Sequence, residues 1–573
     1  MITIYYKIND GEWQEHSISI FDESVFALDV NAGDVVQIKA DTSTLNNENF
    51  NWDTDFKFNA SGNPVSLFAG NTYMEDPSVS IHGIFLNKLV VNASEVLLPK
   101  NVTSFESMFA KCQYLVSTPS YPYKTIEKEN LFSNMYSGCT SLVVAPVLPA
   151  KKLSKGCYRN MFAGCTSLIN APALPAKTLE ESCYGYMFYG CTSLVNAPAL
   201  PAKVLPEYCY SSMFSGCTSL VDTPEIEISE FEGESGTYSG SYSCERMFSG
   251  CASLKNIHLN ITADNVKSYA CQEMFANCTS LVTASFLLGQ NATEFGSTAF
   301  SGMFKGCTSL VDASMIIGNE NTVLQNSGYG GACGEMFRDC TSLTIPPVLK
   351  PMVIGTYGYY DMFMNCISLV TAPNLPATSL SESSYFGMFE NCTSLVNVQS
   401  VLPAVDIAEP GSWSANGFYQ RMFAGCTSLV TAPELPAETL PFCAYGYMFS
   451  GCTALVNAPS VLPATTIGEP YASWCSSAYG YMFVGCTSLQ RAPVIMAQTL
   501  PKYAAKYMFS GCTSLNYIKC LATSHDTGSI TNSTLNWVSG VGSTGTFVKH
   551  PSASWAAGVN GRPSGWTVQN ESQ

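Results

Sequence analysis

CYGYMFYGCTSLVNAPALPA, residues 183–202, decides how the chain is read, because variants of its central phrase return from Met108 to Leu515. There are fifteen copies, marked by Cys112, Cys139, Cys165, Cys191, Cys217, Cys251, Cys278, Cys307, Cys340, Cys366, Cys392, Cys426, Cys452, Cys486 and Cys512. Their commonest spacing is 26 residues. A fixed period of that size signals stacked repeats, and 573 residues exceed what one hydrophobic core usually supports.

Each repeat parses physically. A leucine stands three places after every cysteine, as at Leu168, Leu194, Leu220 and Leu429, which predicts the inward anchor of a short strand in a parallel sheet. Prolines follow at Pro172, Pro198, Pro373 and Pro433, and again at Pro175, Pro201, Pro376 and Pro436. Proline cannot donate to a ladder, so the strand must be very short and then run into extended chain. Upstream, segments such as PEYCYSSMF read as one or two helical turns. The residue before the cysteine is Gly164, Gly190, Asn277, Asp339, Asn391 or an equivalent, types that tolerate the left-handed conformation that ends a helix. Lys111, in the first copy, departs from that pattern.

The combination MFxGCTSL followed by APxLPA resembles the BspA-like leucine-rich-repeat family of gut Bacteroidetes, their parasites and their phages. The resemblance covers residues 85–520 and implies a right-handed coil of strand-and-turn repeats used for adhesion to host proteins, cells or surfaces. It implies no chemistry. The expected fold class is therefore mixed β with short helical turns, a leucine-rich-repeat solenoid of about 15 to 16 rungs. An N-terminal β-sandwich-like attachment domain (1–84) precedes it, and a C-terminal cap (521–573) follows.

The flanks carry their own signals. Asp10-Gly11 separates ITIYYKI from SISIF, Ala32-Gly33-Asp34 separates FALDV from VVQIKA, and Ser61-Gly62-Asn63 marks a turn before VSLF. Phe85 to Pro99 reads as an opening repeat without cysteine. From Ser524 the phrase is lost, and Trp537, Trp555 and Trp566 read as anchors of a cap, which a solenoid needs to cover its last apolar rung.

Composition limits the function. With 44 acidic against 27 basic side chains the net charge is -17, so the basic surface that nucleic acids require is missing. No run of eighteen apolar residues predicts a membrane span. MITIYYKINDGEW lacks the basic and apolar regions of a secretion signal. A virion protein released by lysis fits that reading, with a bacterial cell-surface adhesin as the alternative.

The 24 cysteines contain no CxxC pair, and the five histidines are scattered, so neither metal nor cofactor is expected. One cysteine per repeat in a fixed place reads as a reduced, packed column. GxSxG, HExxH, P-loop and GxGxxG motifs are absent, and the expectation is no enzyme. Tyr184, Tyr186, Tyr445, Tyr447, Tyr479 and Tyr481 form an aromatic stripe that reads first as a structural ladder. Asn170, Asn196, Asp222, Thr283, Asp312, Thr371, Asn397, Thr431 and Asn457, two places after the leucine, suit an exposed sheet face.

Candidate binding residues come from the longer intervals. These are 34 residues from Cys217 to Cys251, 29 from Cys278 to Cys307, 33 from Cys307 to Cys340, and 34 ending at both Cys426 and Cys486. Extra residues there fall between the strand and the next turn segment, on one side of the coil. Glu409 and Trp413 in one insertion match Glu469, Tyr471 and Trp474 in another, and Tyr238 and Tyr242 stand in a third. The expected partners are a host surface protein or glycan, or other virion proteins. Replacing Trp413 and Trp474 together with alanine is expected to abolish attachment to intact host cells while circular dichroism and the melting temperature stay unchanged. Unimpaired attachment, or unfolding of the double variant, would assign these loops a structural role.

Overall fold

The computed structural model describes residues 2–18, 36–40, 58–62, 85, 88–98, 102–233, 241–326, 330–377, 379–403, 406–407, 417–441, 444–468, 478–528 and 532–572. The chain divides into two compact units, Met1–Glu227 with Arg246–His258, and Ile228–Glu245 with Leu259–Gln573. Each contains a run of coiled repeats.

The segments expected to be helical are not: no helix occurs among the described residues, and each such segment is a chain of consecutive turns. The cause lies in the backbone. In the first unit Ser182, Tyr186 and Gly190 have φ of 56, 57 and 68°. An α-helix of L-residues cannot hold a left-handed residue at every fourth place, whereas a type II turn requires one at its third position.

Hydrogen bonds alternate accordingly. The N–H groups of Cys183, Gly185, Met187, Tyr189 and Cys191 donate to carbonyls three residues back, closing turns within the rung. Those of Ser182, Tyr184, Tyr186, Phe188 and Gly190 donate to Glu207, Cys209, Ser211, Met213 and Ser215 of the next rung. Every donor of this buried run is thus satisfied without helix or strand.

The second unit repeats the device at Tyr357, Asp361 and Asn365, with φ of 60, 49 and 63°. The expectation of a left-handed residue before the cysteine holds, but it closes a turn instead of ending a helix. Lys111, the apparent exception, is left-handed as well, at φ 59°.

Side chains inside the coil form columns. In the first unit the phenylalanines or tyrosine three places before the cysteine stack from Phe109 through Tyr136, Phe162, Phe188 and Phe214 to Phe248, with ring centroids 5.3–5.7 Å apart. The second unit stacks Phe275 to Phe509 in the same way, at 5.4–5.7 Å. The methionine before each ring and the leucine after each cysteine are fully buried beside them.

Parallel pairing follows the leucine, as expected. Asn170, Asn196 and Asp222 bridge in series in the first unit, and Thr431, Asn457, Arg491 and Tyr517 in the second. In the second unit two further ladders form. Leu287–Leu288, Ile316–Ile317 and Val348–Leu349 pair in one, and Asn265–Val266, Glu294–Phe295, Val323–Leu324 and Val353–Ile354 in the other. Regular strand is confined to part of the array among the described residues. In the first unit the APALPA segments 171–176 and 197–202 contain no strand, because their prolines lack donors.

At the N-terminus Ile2–Ile8 pairs antiparallel with Gln14–Ile18 and with Val36–Ala40, as the Asp10-Gly11 turn predicts. FALDV and VSLF lie outside the described residues, so the second layer of a sandwich is not described. Ser61 and Gly62 are not a turn; they end the strand Phe58–Gly62, which pairs with Val90–Val96. Phe85 stacks on Phe109 at 5.1 Å and its carbonyl accepts the Cys112 thiol, which places it as the first rung of the column.

The residues after the last phrase are more regular than their sequence. Asn536 and Gly540 repeat the left-handed pair at φ 53 and 74°, and Phe509 N–H donates to the Trp537 carbonyl. Trp537 is wholly buried and Trp555 and Trp566 nearly so.

The cysteine column has a defined role. Within each unit the thiols donate to the carbonyl of the ring residue in the preceding rung, as from Cys139 to Phe109 and Cys191 to Phe162 in one unit, and from Cys340 to Phe304 and Cys512 to Phe483 in the other, at 3.0–3.1 Å. A disulfide sulfur has no proton to donate. Burial also pushes the Cys191, Cys307 and Cys452 thiols up to about 12, so they stay protonated at neutral pH. Alkylation is therefore expected to be negligible on the folded protein and complete after unfolding without reductant, as read by mass spectrometry. Recovery of most repeat cysteines as disulfides would contradict the thiol column.

Candidate recognition surface

What the coil buries fixes what it displays. Each rung puts leucine inward, so the residue after it must point out. That residue is Val143, Ile169 or Val195 in the first unit, and Val282, Val370, Val396 or Val430 in the second, all exposed by 39–48%. An aliphatic row left in water is an uncommon surface for a soluble fold.

The expected polar face lies beside it. Asn196 Nδ2 donates to Asn170 Oδ1 at 3.3 Å in the first unit; Asn397 donates to Thr371 and Asn457 to Thr431, both at 3.0 Å, in the second. On the other flank the Thr218 hydroxyl donates to the Thr192 carbonyl, and the Thr487 hydroxyl to the Thr453 carbonyl. The resulting face is a valine row between two rows of hydrogen-bonded polar groups. Reading the sequence for the polar column alone missed the valines, although CTSLV carries them in plain view.

The tyrosine stripe separates into two columns. Tyr184, Tyr445 and Tyr479 are buried and stack inside the coil, as in Tyr445 on Tyr479 at 6.4 Å. Tyr447 and Tyr481, two residues further on, take left-handed backbone, stand half-buried at the surface and stack at 4.4 Å. Tyr507 extends that outer stack from Tyr481 at 4.9 Å. Alternation of burial along a turn chain, invisible in a tyrosine count, makes the division.

Of the candidate binding residues only Tyr242 is described. It is half-buried and stacks on Tyr269 at 4.6 Å, so it belongs to a ladder within the second unit. Tyr238, Glu409, Trp413, Glu469, Tyr471 and Trp474 lie outside the described residues. One longer interval is fully described. Between Cys278 and Cys307 the chain turns from Leu287–Leu288 into Glu294–Phe295, and Asn319 of the next rung donates to the Gln290 and Ala292 carbonyls. That insertion is stitched down and does not stand free.

Charged residues of the second unit join rung to rung. Glu335 pairs with Lys305 at 2.6 Å and with Arg338 at 2.7 Å, and Arg338 reaches Asp361 at 3.1 Å. Arg421 pairs with Glu390 at 2.5 Å and lies over the Tyr447 ring. Among the described residues no group of three His, Cys, Asp or Glu has the arrangement of a metal site. The groove walled by Leu174, Pro175, Pro198 and Pro201 is open and holds no titratable side chain.

The repeat phrase and its columns find their counterpart in one family model, the BspA type leucine rich repeat region, which matches six copies at residues 85–221 and 158–327. Over residues 85–327 the repeats are similar to the BspA type. Solved structures with similar repeats include a leucine-rich repeat protein from Bacteroides ovatus (20% identity, 77% of this chain and 87% of that one, TM-score 0.40). A leucine rich cell surface protein from Faecalibacterium prausnitzii also matches, at 16% identity over 64% and 90% of the two chains, with a TM-score of 0.29. A third, from Eubacterium ventriosum, matches at 16% identity over 67% and 85%, with a TM-score of 0.26. No curated protein matches the chain. The repeat phrase itself continues past residue 327 to Leu515, and in the second unit the same kinds of buried column accompany it.

Asp361 yields a measurable consequence. Burial raises its carboxyl to about 7; Arg338 opposes the shift, while Glu390 and Glu335 add to it. The folded chain therefore binds a proton that the unfolded chain, with an Asp near 3.9, has already released. Stability from this group is present at low pH and is lost as pH rises from about 4 to about 7. Asp361→Asn should flatten that part of the profile of melting temperature against pH; an unchanged slope would show that Asp361 does not carry it.

Proposed function

We propose that the chain is a non-enzymatic recognition and adhesion protein whose BspA-type repeats present a long contact surface to a protein or glycan partner. The observation that supports this reading best is the exposed valine row, which recurs in register in both units beside polar groups already committed to neighbouring rungs. Such a face offers apolar contact without the desolvation of free charges, which suits recognition. Leucine-rich-repeat proteins generally act through protein–protein contact. No helix among the described residues is long and apolar enough to cross a membrane.

The finer reading is a phage virion fibre or surface appendage that contacts the bacterial host, with residues 1–84 as attachment module, 85–520 as the recognition solenoid and 521–573 as cap. Its support is the resemblance to a family found in phages as well as in gut Bacteroidetes. A bacterial surface adhesin or a virion spacer uses the same array. Trp413, Trp474, Tyr471, Glu409, Glu469, Tyr238 and Tyr242 are proposed as contact residues in the longer repeats.

The test is direct. Purified protein should bind intact gut Bacteroidetes cells, and Val143→Asp with Val195→Asp, or Val370→Asp with Val430→Asp, should weaken binding at least tenfold without lowering the melting temperature. These sites already face water, so a stable variant is expected. Full binding by both double variants would remove the valine face from recognition, and binding to no cell surface would overturn adhesion. Immunogold labelling of particles against cells separates the virion from the cell-surface placement.

A further inference from the structure

The net charge of -17 hides a local exception in the first unit. Lys124, Lys151, Lys177 and Lys203 hold one position in four consecutive rungs, two places before the buried Ile126, Leu153, Leu179 and Leu205. The backbone sets their register: Lys151 N–H donates to the Lys124 carbonyl at 3.0 Å, and the residues next along, Thr125, Lys152 and Thr178, bridge in parallel. All four lysines are exposed, and their side chains are rooted about 4.8 Å apart along the coil. Like charges set opposite one another on a ladder repel, and little on the first unit offsets them. Lys203 pairs with Glu227, but among the described residues Lys124, Lys151 and Lys177 form no ion pair. On the turn that follows, Glu181 is taken by Lys155 at 2.7 Å, and Glu127 and Glu180 make no ion pair with the row. In the second unit the same backbone bond joins Thr293 to Asp264 and Thr465 to Glu438, so the fold does not require lysine at this place.

Each lysine ends an outward-facing series. Ala173 and Lys177 are exposed and Pro175 is half-buried, while Leu174 and Ala176 between them are buried; Ala199, Pro201 and Lys203 repeat the series one rung on. The open groove lined by Ala173, Pro175, Ala199 and Pro201 therefore runs beside the lysine row. We propose that this strip binds a linear acidic polysaccharide, with the lysines on its carboxylates and the alanine–proline groove under its sugar rings. The proposal rests on the adhesion reading and names the class of glycan. A uronate chain carries one carboxylate on every ring, a repeat close to one rung, and the flexible four-carbon stem of lysine follows carboxylates that alternate about the chain axis. An extended acidic peptide presents same-face side chains about 6.8 Å apart and falls out of step with the rungs. Alanine and proline bring no charge to desolvate beneath the C–H faces of the rings. At physiological ionic strength charges more than about 8 Å away are largely screened, so the acidic average of the chain does not cancel the row.

Polygalacturonate is the probe, and its fully methyl-esterified form, with the same rings and no charge, is the control. In isothermal titration calorimetry the full chain should bind the acid polymer and not the ester. Affinity should fall about tenfold or more as salt rises from about 0.1 M to about 1 M, where screening shortens to about 3 Å. Lys124→Gln with Lys151→Gln and Lys177→Gln should weaken binding about tenfold or more at unchanged melting temperature, because exposed sites tolerate the exchange. The corresponding triple Lys→Arg variant keeps the charge and should bind as the wild type does. No binding to polygalacturonate, equal binding of acid and ester, full binding by the glutamine variant, or tighter binding of single-stranded DNA or polyglutamate would each overturn the proposal. A chain that adheres to cells but ignores polygalacturonate loses this proposal alone, whereas one that does neither loses the adhesion reading as well.

Discussion

The structure depends on left-handed residues placed five and one before each repeat cysteine, joined in most repeats by a third nine before it. That placement closes turns with every second N–H and frees the others to bond the neighbouring rung. Helices keep their hydrogen bonds to themselves and strands give all of theirs away. This chain divides them evenly, residue by residue, so Tyr186 and Phe188 reach the next rung while Met187 and Tyr189 hold their own.

Once the backbone is stitched in this way, side chains have little freedom. Identical positions of successive rungs lie one above another, and aromatic rings must either stack or collide. The phenylalanines stack at about one rung height, nearly parallel, which suits an apolar column more than an isolated pair of rings. Cysteine fits between them because it is small, apolar and still able to donate one weak hydrogen bond to a carbonyl that the turns leave half-used. Serine in its place would bring a more strongly hydrated group into the same dry column.

The same regularity sets the surface. Columns that face water become rows of valine, threonine or asparagine, and unlike a pocket they offer no enclosure and no convergent charges. A partner that binds such rows is itself extended or repetitive, or it meets the rows through residues on the longer repeats. In the second unit the charged residues Glu335, Arg338, Asp361, Glu390 and Arg421 tie rungs together, and burial raises the Asp361 carboxyl well above the usual carboxylate range.

The period, the inward leucine, the buried cysteine column and the left-handed residue before it were all legible in the sequence, because each repeats and each has a local physical reason. Trp537, Trp555 and Trp566 stood out too, as large apolar groups outside the repeat phrase, and all three are buried. The fate of the segment before the cysteine was not. Tyr186 and Arg421 are poor candidates for left-handed backbone on propensity, and they adopt it where their own N–H groups bond carbonyls of the next rung, at Ser211 and Gly446. Likewise Tyr184 and Tyr186 are alike in sequence and opposite in burial, and Asn536 and Gly540 form a further rung without the repeat phrase. These outcomes rest on hydrogen bonds between residues about 26 positions apart, and only the stacked structure brings such residues together.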